Sequence, residues 1–499
     1  MISTEIRKQY TVTVGIECHV QLKTTTKLFS AVGNDAREAE PNTLVSHIDF
    51  GLPGALPVLN AEAVRLAVRA AFALGVEPQP FSYFERKHYF YPDLPMGYQI
   101  SQLAKPIIVG GAVEFEVEDA NGGPTEHKTV QINRVQMEAD AGKSTHPTGK
   151  DYSLVDLNRA GTPLLEIVSE ADIHSAAEAK AYAKELYLRM RYADVSDCNL
   201  YYGNMRFDVN VSVSKTDEWG TRTETKNINS FRAVEKVVDF EVNRQIEVLE
   251  KSGKIVQETR GWDDAKQKTF TQRTKENAED YRYMPDPDLP PVELEQAYID
   301  EIRQAMPVMP GEWRKRLEGL GLDRSQVDVL LEAELDDAQT AFLSLIEASL
   351  NNQFFAKQLA HWFVNIEIPL RHRDDLAVQP ANQERLAFYA ALFNLVEANK
   401  LSSTNAKALI SGVLEANDYP GDVAAYAESK GYIQESSEAA IAAIVAQVLA
   451  DNPKAAEDVR SGEAKAIGFL VGQVMKQSQG KANPQVAQQL IRKALEEEA

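Results

Sequence analysis

The sequence predicts an α+β protein, a sheet-based N-terminal cradle domain followed by two all-helical domains. Three observations carry that expectation. Up to about Pro291, short segments with a period of two alternate with Gly, Pro and aromatic punctuation, the pattern of strands joined by tight turns. The run Met284-Pro285-Asp286-Pro287-Asp288-Leu289-Pro290-Pro291 cannot continue a helix or a central strand, so a boundary falls just after it. From Glu293 onward Ala, Leu, Glu and Gln recur at helical spacing, with a weaker break at the polar cluster Leu401-Ser402-Ser403-Thr404. The expected domains are residues 1–292, 293–403 and 404–499.

The first element is the most informative. In Thr11-Val12-Thr13-Val14-Gly15-Ile16-Glu17-Cys18-His19-Val20-Gln21-Leu22, alternation sends Val12, Val14, Ile16, Cys18, Val20 and Leu22 to one side, so Glu17 and His19 project together from the other. A helix follows from about Ala61 to Leu74 and stops at Gly75. In Val135-Gln136-Met137-Glu138-Ala139-Asp140, Glu138 faces away from Val135, Met137 and Ala139. Ser175-Ala176-Ala177-Glu178 is a capping-box pattern that opens a helix through Tyr182, Leu186 and Met190. The strand Met205–Val213 repeats the first arrangement, with Arg206, Asp208, Asn210 and Ser212 opposite Phe207, Val209, Val211 and Val213. Thr223-Glu224-Thr225-Lys226-Asn227 places Glu224 and Lys226 on one face, and Asn452-Pro453 and Asn483-Pro484 are set to start helices.

Composition narrows the function classes. A chain of 499 residues exceeds what one hydrophobic core serves, and 44% hydrophobic with 25% charged residues fits an ordinary globular protein. No apolar run reaches membrane-spanning length, and the start, Met1-Ile2-Ser3-Thr4-Glu5, has no secretory h-region, so the cytoplasm is the expected compartment. Cys18 and Cys198 make no disulfide framework and no zinc pattern. Alternation puts Cys18 opposite His19, where it reads as a small core hydrophobe rather than a nucleophile. The net charge of -21 repels nucleic acid on average and argues against a sequence-independent DNA or RNA coat. The stretch 464–495 nevertheless has no acid and carries Lys465, Lys476, Lys481, Arg492 and Lys493; it reads either as a solvated helix surface or as an RNA-facing one.

Phosphate chemistry is indicated by what is present rather than by a glycine loop. Gly142-Lys143-Ser144 imitates the end of a P-loop, but Met137 stands where the first glycine is required, and no G-x-G-x-x-G follows a strand. ATP would therefore need a divalent metal held by carboxylates on the sheet, and the candidate donors are Glu17, His19, Glu138, Asp208 and Glu224. Glu85-Arg86-Lys87-His88-Tyr89-Phe90-Tyr91-Pro92-Asp93 mixes cations and aromatics as an adenine or single-stranded RNA surface does, and equally as an edge strand ending in a turn.

Several long motifs, in order and spanning nearly the whole chain, resemble the GatB family, the B subunits of the tRNA-dependent Asp/Glu amidotransferases. They are Val14-Gly15-Ile16-Glu17-Cys18-His19, Gly51-Leu52-Pro53-Gly54-Ala55-Leu56-Pro57, Arg86-Lys87-His88-Tyr89-Phe90-Tyr91-Pro92-Asp93, Ser153-Leu154-Val155-Asp156-Leu157-Asn158-Arg159, Asp280-Tyr281-Arg282-Tyr283-Met284-Pro285 and Gly468-Phe469-Leu470-Val471-Gly472-Gln473. The resemblance implies a cradle of glutamine-synthetase-like design, ATP and Mg2+ but no zinc, and a C-terminal helical tail that contacts tRNA. It also implies two partner proteins, an amidase (glutaminase) subunit that releases ammonia from glutamine and a small third subunit, with misacylated Glu-tRNA(Gln) or Asp-tRNA(Asn) as substrate. Carried over by position, Glu17, His19, Glu138, Asp208 and Glu224 match metal-binding residues and Lys87 a residue of the ammonia passage. Arg206, Lys226 and Asn227 stand beside them, placed to bind phosphate or the activated carboxylate. The chain departs from the family pattern at Gln136, where His is common, at Ala139, where a carboxylate is expected, at Tyr201 and Tyr202 in place of two acids, and at Phe207 in place of Cys. Those departures motivate an alternative, a tRNA-docking scaffold with an impaired kinase site.

Overall fold

The strand read first in the sequence is the fifth of eight along the main sheet of the N-terminal unit. The computed structural model describes residues 2–117, 125–274, 281–336, 341–374, 383–416, 418–433, 438–461, 464–478 and 482–497. The chain divides into two compact units, Met1–Pro310 and Gly311–Ala499. The strands that position the site are β1 (Thr11–Gln21), β2 (Glu85–His88), β3 (Tyr98–Ser101), β4 (Ile108–Val109), β5 (Ala112–Val117), β6 (Glu126–Ala139), β7 (Pro163–Ser169), β8 (Met205–Ser214), β9 (Thr223–Ile228), β10 (Glu258–Asp263), β11 (Lys268–Thr274) and β12 (Met284–Pro285). The main sheet runs β11-β10-β9-β8-β1-β7-β6-β4, with β5 on the outer part of β6. Its pairs are antiparallel except β9 with β10. A small sheet, β12-β2-β3, makes β2 a middle strand rather than an edge.

One face of the main sheet is covered by helices and the other carries the polar residues. On β1, Val14, Ile16, Cys18 and Val20 are fully or nearly fully buried, and they share one core with Val209, Val211, Tyr182, Ala183 and Leu186. Each such side chain contributes about 1.5–3 kcal/mol by leaving water. The covering helices are α1 (Ala61–Ala73), α2 (Ala176–Tyr192) and α3 (Phe231–Glu250). Their starts are sealed where short polar side chains precede them: Asn60, Ser175 and Ser230 accept from the backbone N–H of Glu62, Glu178 and Ala233. Gly75, at φ +73°, ends α1 as its sequence position required. Helix α3 is pinned to the sheet by its fully buried Glu241, which accepts from Thr223 at 2.7 Å and from Arg244 at 2.7 Å and forms an ion pair with Arg260 at 3.1 Å.

The second unit is helical throughout its described residues, apart from short turns and one isolated bridge. Its first part is organised around Glu367 at the end of a π-helical turn, Phe363–Glu367, where the carboxylate receives Arg371, Arg385 and Tyr389. Its last part packs the helices Glu438–Asp451, Pro453–Arg460, Ala464–Gln477 and Pro484–Glu497 over Ile441, Val445, Leu470, Val474 and Ile491. Pro453 and Pro484 open their helices, as the Asn-Pro pairs indicated. The expected α+β class is the one observed.

Candidate active site on the open sheet face

Strand pairing assembles a row of polar residues from four separate parts of the chain. Arg206 on β8 is level with His19 on β1, His19 with Glu166 on β7, and Glu166 with Gln136 on β6. Neighbouring strands lie about 4.8 Å apart, so side chains at one level of the open face are in reach of one another. Two residues along, Asp208 is level with Glu17. Glu224 on β9 is level with Asn210 on β8.

These rows hold two groups of potential metal ligands. His19, Glu138 and Glu166 each offer a ligand atom, all within 4.8 Å of one another, and so do Glu17, Asp208 and Glu224. His19 Nε2 and Glu138 Oε1 are 3.6 Å apart. Asn210 donates to Glu17 at 3.2 Å, and its buried Oδ1 has no hydrogen-bond partner, an orphaned acceptor beside the second group. Oxygen donors with a single histidine suit a hard divalent cation, so the residues present fit magnesium or manganese.

The electrostatics show the same demand for positive charge. Burial and then Glu166 push the Glu138 carboxyl up to about 8, against the pull of Lys87. Burial, then Glu166, Glu224 and Asp208, also raise Glu17 above the ordinary carboxylate range. Burial acts upward on Asp208 too, but Lys226, His19 and the Asn227 N–H outweigh it and hold it low. Glu166 is likewise held low against burial, by His19, Lys87 and Arg134. Burial works against the charge of Lys226, yet Asp208 and Glu224 dominate and keep it protonated; Lys226 Nζ lies 2.9 Å from Asp208 and 3.4 Å from Glu224. Lys87 is kept protonated against burial by Glu138 and Glu166.

Lys87 and its surroundings come from the small sheet. Its Nζ stands 5.0 Å from the centre of the Tyr281 ring and 5.9 Å from that of Tyr89. Arg86 fastens β2 to the segment after β12 through Asp286 at 2.9 Å and Asp288 at 2.7 Å, and its guanidinium stacks on Tyr98. Arg206 is held by Asp140 at 3.0 Å, which also meets Arg159 at 3.3 Å. Asn227 takes part through its backbone, which at φ +59° donates to Asp208 at 2.8 Å, while the residue itself is exposed. Beside the end of β1 lies a cavity of about 690 Å³ whose polar lining includes Lys23, Asn34, Arg37, Lys143, Arg159 and Asn204.

The structure thus brings together Glu17, His19, Glu138, Asp208, Glu224, Lys226 and Arg206, with Lys87 close enough to act on Glu138. Glu166 is the residue that sequence reasoning missed. Its signal was a lone acid in the otherwise apolar run Pro163-Leu164-Leu165-Glu166-Ile167-Val168, whose alignment with His19 depends on distant pairing. Ala139 lies in the hydrophobic core on the side of β6 opposite Glu138, and its carbonyl accepts from Gln99 at 2.8 Å. Tyr201 and Tyr202 are exposed and stack edge-on, outside both groups. Cys18 is buried and burial raises its thiol pKa, which leaves it inert. In the second unit Lys465, Lys476, Arg492 and Lys493 are exposed on helices whose other side is the apolar core; Lys481 lies outside the described residues.

Known proteins identify the family of the chain. The family model described as GatB/GatE catalytic domain matches residues 12–300, and the one described as GatB domain matches residues 342–495. The B subunit of the aspartyl/glutamyl-tRNA(Asn/Gln) amidotransferase of Halorhodospira halophila is 44% identical over 97% of this chain and 98% of its own. The B subunits from Alkalilimnicola ehrlichii and Coxiella burnetii are 43% and 44% identical, again over 97% of this chain and 98% and 99% of theirs. With family models matching both units and full-length relatives at this identity, the chain belongs to the GatB family, the B subunits of aspartyl/glutamyl-tRNA(Asn/Gln) amidotransferases.

Proposed function

We propose that this chain activates the side-chain carboxylate of Glu on tRNA(Gln), or of Asp on tRNA(Asn), with ATP, and that ammonia then converts it to the amide. The observation that carries the reading is the pair of acid groups on one open sheet face, flanked by Lys87, Arg206 and Lys226. A carboxylate is a poor electrophile. One of its oxygens attacks the γ-phosphorus and ADP leaves; ammonia adds to the acyl carbon, the C–O bond to phosphate breaks, and a proton departs from nitrogen. Mg2+, held by His19, Glu138 and Glu166 and by Glu17, Asp208 and Glu224, would supply charge neutralisation of the transferring phosphoryl group. Lys226 and Arg206 are fixed by Asp208 and Asp140, so they meet developing negative charge without having to reorient. Lys87 lies beside the Tyr89 and Tyr281 rings, and a passage closed there would protect an acyl phosphate from hydrolysis.

The family membership supports assembly with an amidase (glutaminase) partner and a small third protein in the cytoplasm; no helix among the described residues is long and apolar enough to cross a membrane. The basic helix faces of residues 464–495 are the proposed tRNA contact. The test is conversion of Glu-tRNA(Gln) to Gln-tRNA(Gln) by the reconstituted complex with ATP and ammonium chloride in place of glutamine. Conversion is expected, and its loss with tRNA still bound in Glu224→Ala or His19→Ala is expected too. Failure of the unmodified complex to convert, with tRNA bound, would favour a docking scaffold instead.

A further inference from the structure

We propose that Gln136 is a positioning residue whose side-chain amide orients both carboxylates of the His19, Glu138 and Glu166 group for a divalent cation. The inference rests on the metal-binding reading above and extends it to a residue that touches no reacting group. Gln136 shares the open face of β6 with Arg134 and Glu138, is almost completely buried, and is level with Glu166 on the next strand. Its Nε2 donates to Glu166 Oε2 at 2.5 Å and to Ser101 Oγ at 3.3 Å, and Ser101 Oγ donates to Glu138 Oε2 at 3.2 Å. One amide therefore engages one oxygen of each carboxylate, directly or through a hydroxyl. The other oxygen of Glu138 is the one facing His19.

The amide's direction is set from behind. Arg134 Nε donates to Gln136 Oε1 at 3.2 Å, so a flipped amide would put an oxygen against a carboxylate and an NH2 against a guanidinium. A neutral donor suits this place. A cationic side chain would compete with the metal for the same two acids, and an acid would add a third negative charge to a group already short of positive charge. Partners of this kind fix the orientation of metal-binding carboxylates, and their loss costs about 10- to 100-fold in metal affinity.

The experiment is Mn2+ binding to the full chain, followed by electron paramagnetic resonance, with thermal melting as the check on folding. Gln136→Leu keeps the bulk and removes the donor; it is expected to weaken one Mn2+ site about 10-fold or more, leave the site at Glu17, Asp208 and Glu224 unchanged, and melt like the unmodified chain. Gln136→His restores an N–H donor and is expected to recover most of the affinity. Unchanged Mn2+ binding in Gln136→Leu, or an equal loss at both sites, overturns the proposal while leaving the metal reading intact. An unmodified chain that binds no Mn2+ sinks both. Should Gln136→Leu fail to fold, Ser101→Ala cuts the link to Glu138 alone; a loss of a few-fold supports the proposal, and wild-type affinity overturns it.

Discussion

At the scale of the residue, the acids of the sheet face make a pH signature. Glu138, pushed to about 8, and Glu17, also raised, bind protons more readily in the folded chain than in the unfolded one. Between the ordinary carboxylate range and about pH 8 the folded state thus holds more protons, so this contribution to stability falls as the pH rises through that window. Asp208 and Glu166 have lowered values, and their contribution is lost only below the window, in acid. A divalent cation takes over the role of the proton and removes the conflict among the acids. The melting temperature of the chain in a chelator is expected to fall from about pH 5 to about pH 8.5 and to be flattened by Mn2+; a fall of equal size with Mn2+ would count against cation binding at these groups. Sequence alone pointed to Glu17, His19, Glu138, Asp208 and Glu224, because alternation within one strand fixes which side chains share a face. It could not place Glu166 or Gln136 beside them, since that depends on which strands become neighbours and in what register.

At the scale of the element, helix α3 shows how the covered face supports the open one. Glu241 joins Thr223 on β9 with Arg260 on β10, the neighbouring strands on which Glu224 and its pairing partner Thr259 stand. Removing one partner of a fully buried ion pair costs about 3–5 kcal/mol, an upper bound here because Arg260 keeps Glu258 and Arg244 is partly exposed. Glu241→Ala is accordingly expected to lower the unfolding free energy of the N-terminal unit, read from urea denaturation, by up to that amount, with Glu241→Gln losing less because it retains acceptors and shape. Near-normal stability in Glu241→Ala would show the network to be dispensable. The helix starts were legible because capping is local: Asn60, Ser175 and Ser230 precede helices just where the chain needs an acceptor. The ion network was not, because its members are brought together only when the helix lies across two strands.

At the scale of the whole molecule, the proposed chemistry and the proposed tRNA contact occupy different units of the chain. The exposed lysines and arginine of 464–495 give a test that leaves the sheet untouched: Lys476→Glu is expected to weaken tRNA binding several-fold, more at low salt, and to make the salt dependence about one phosphate contact shallower. Equal binding at all salt concentrations would remove this surface from the interface. Central placement of β1 has a further outcome during synthesis. It leaves the ribosome well before its two partners, β7 and β8, which follow only after Pro163–Ser169 and Met205–Ser214 have been translated. Until then the nascent chain carries a strand with one apolar face and both edges unpaired, the kind of segment that captures other chains. Shielding of the growing polypeptide is therefore expected to matter most before residue 214 emerges, and a chain truncated in that interval is expected to aggregate.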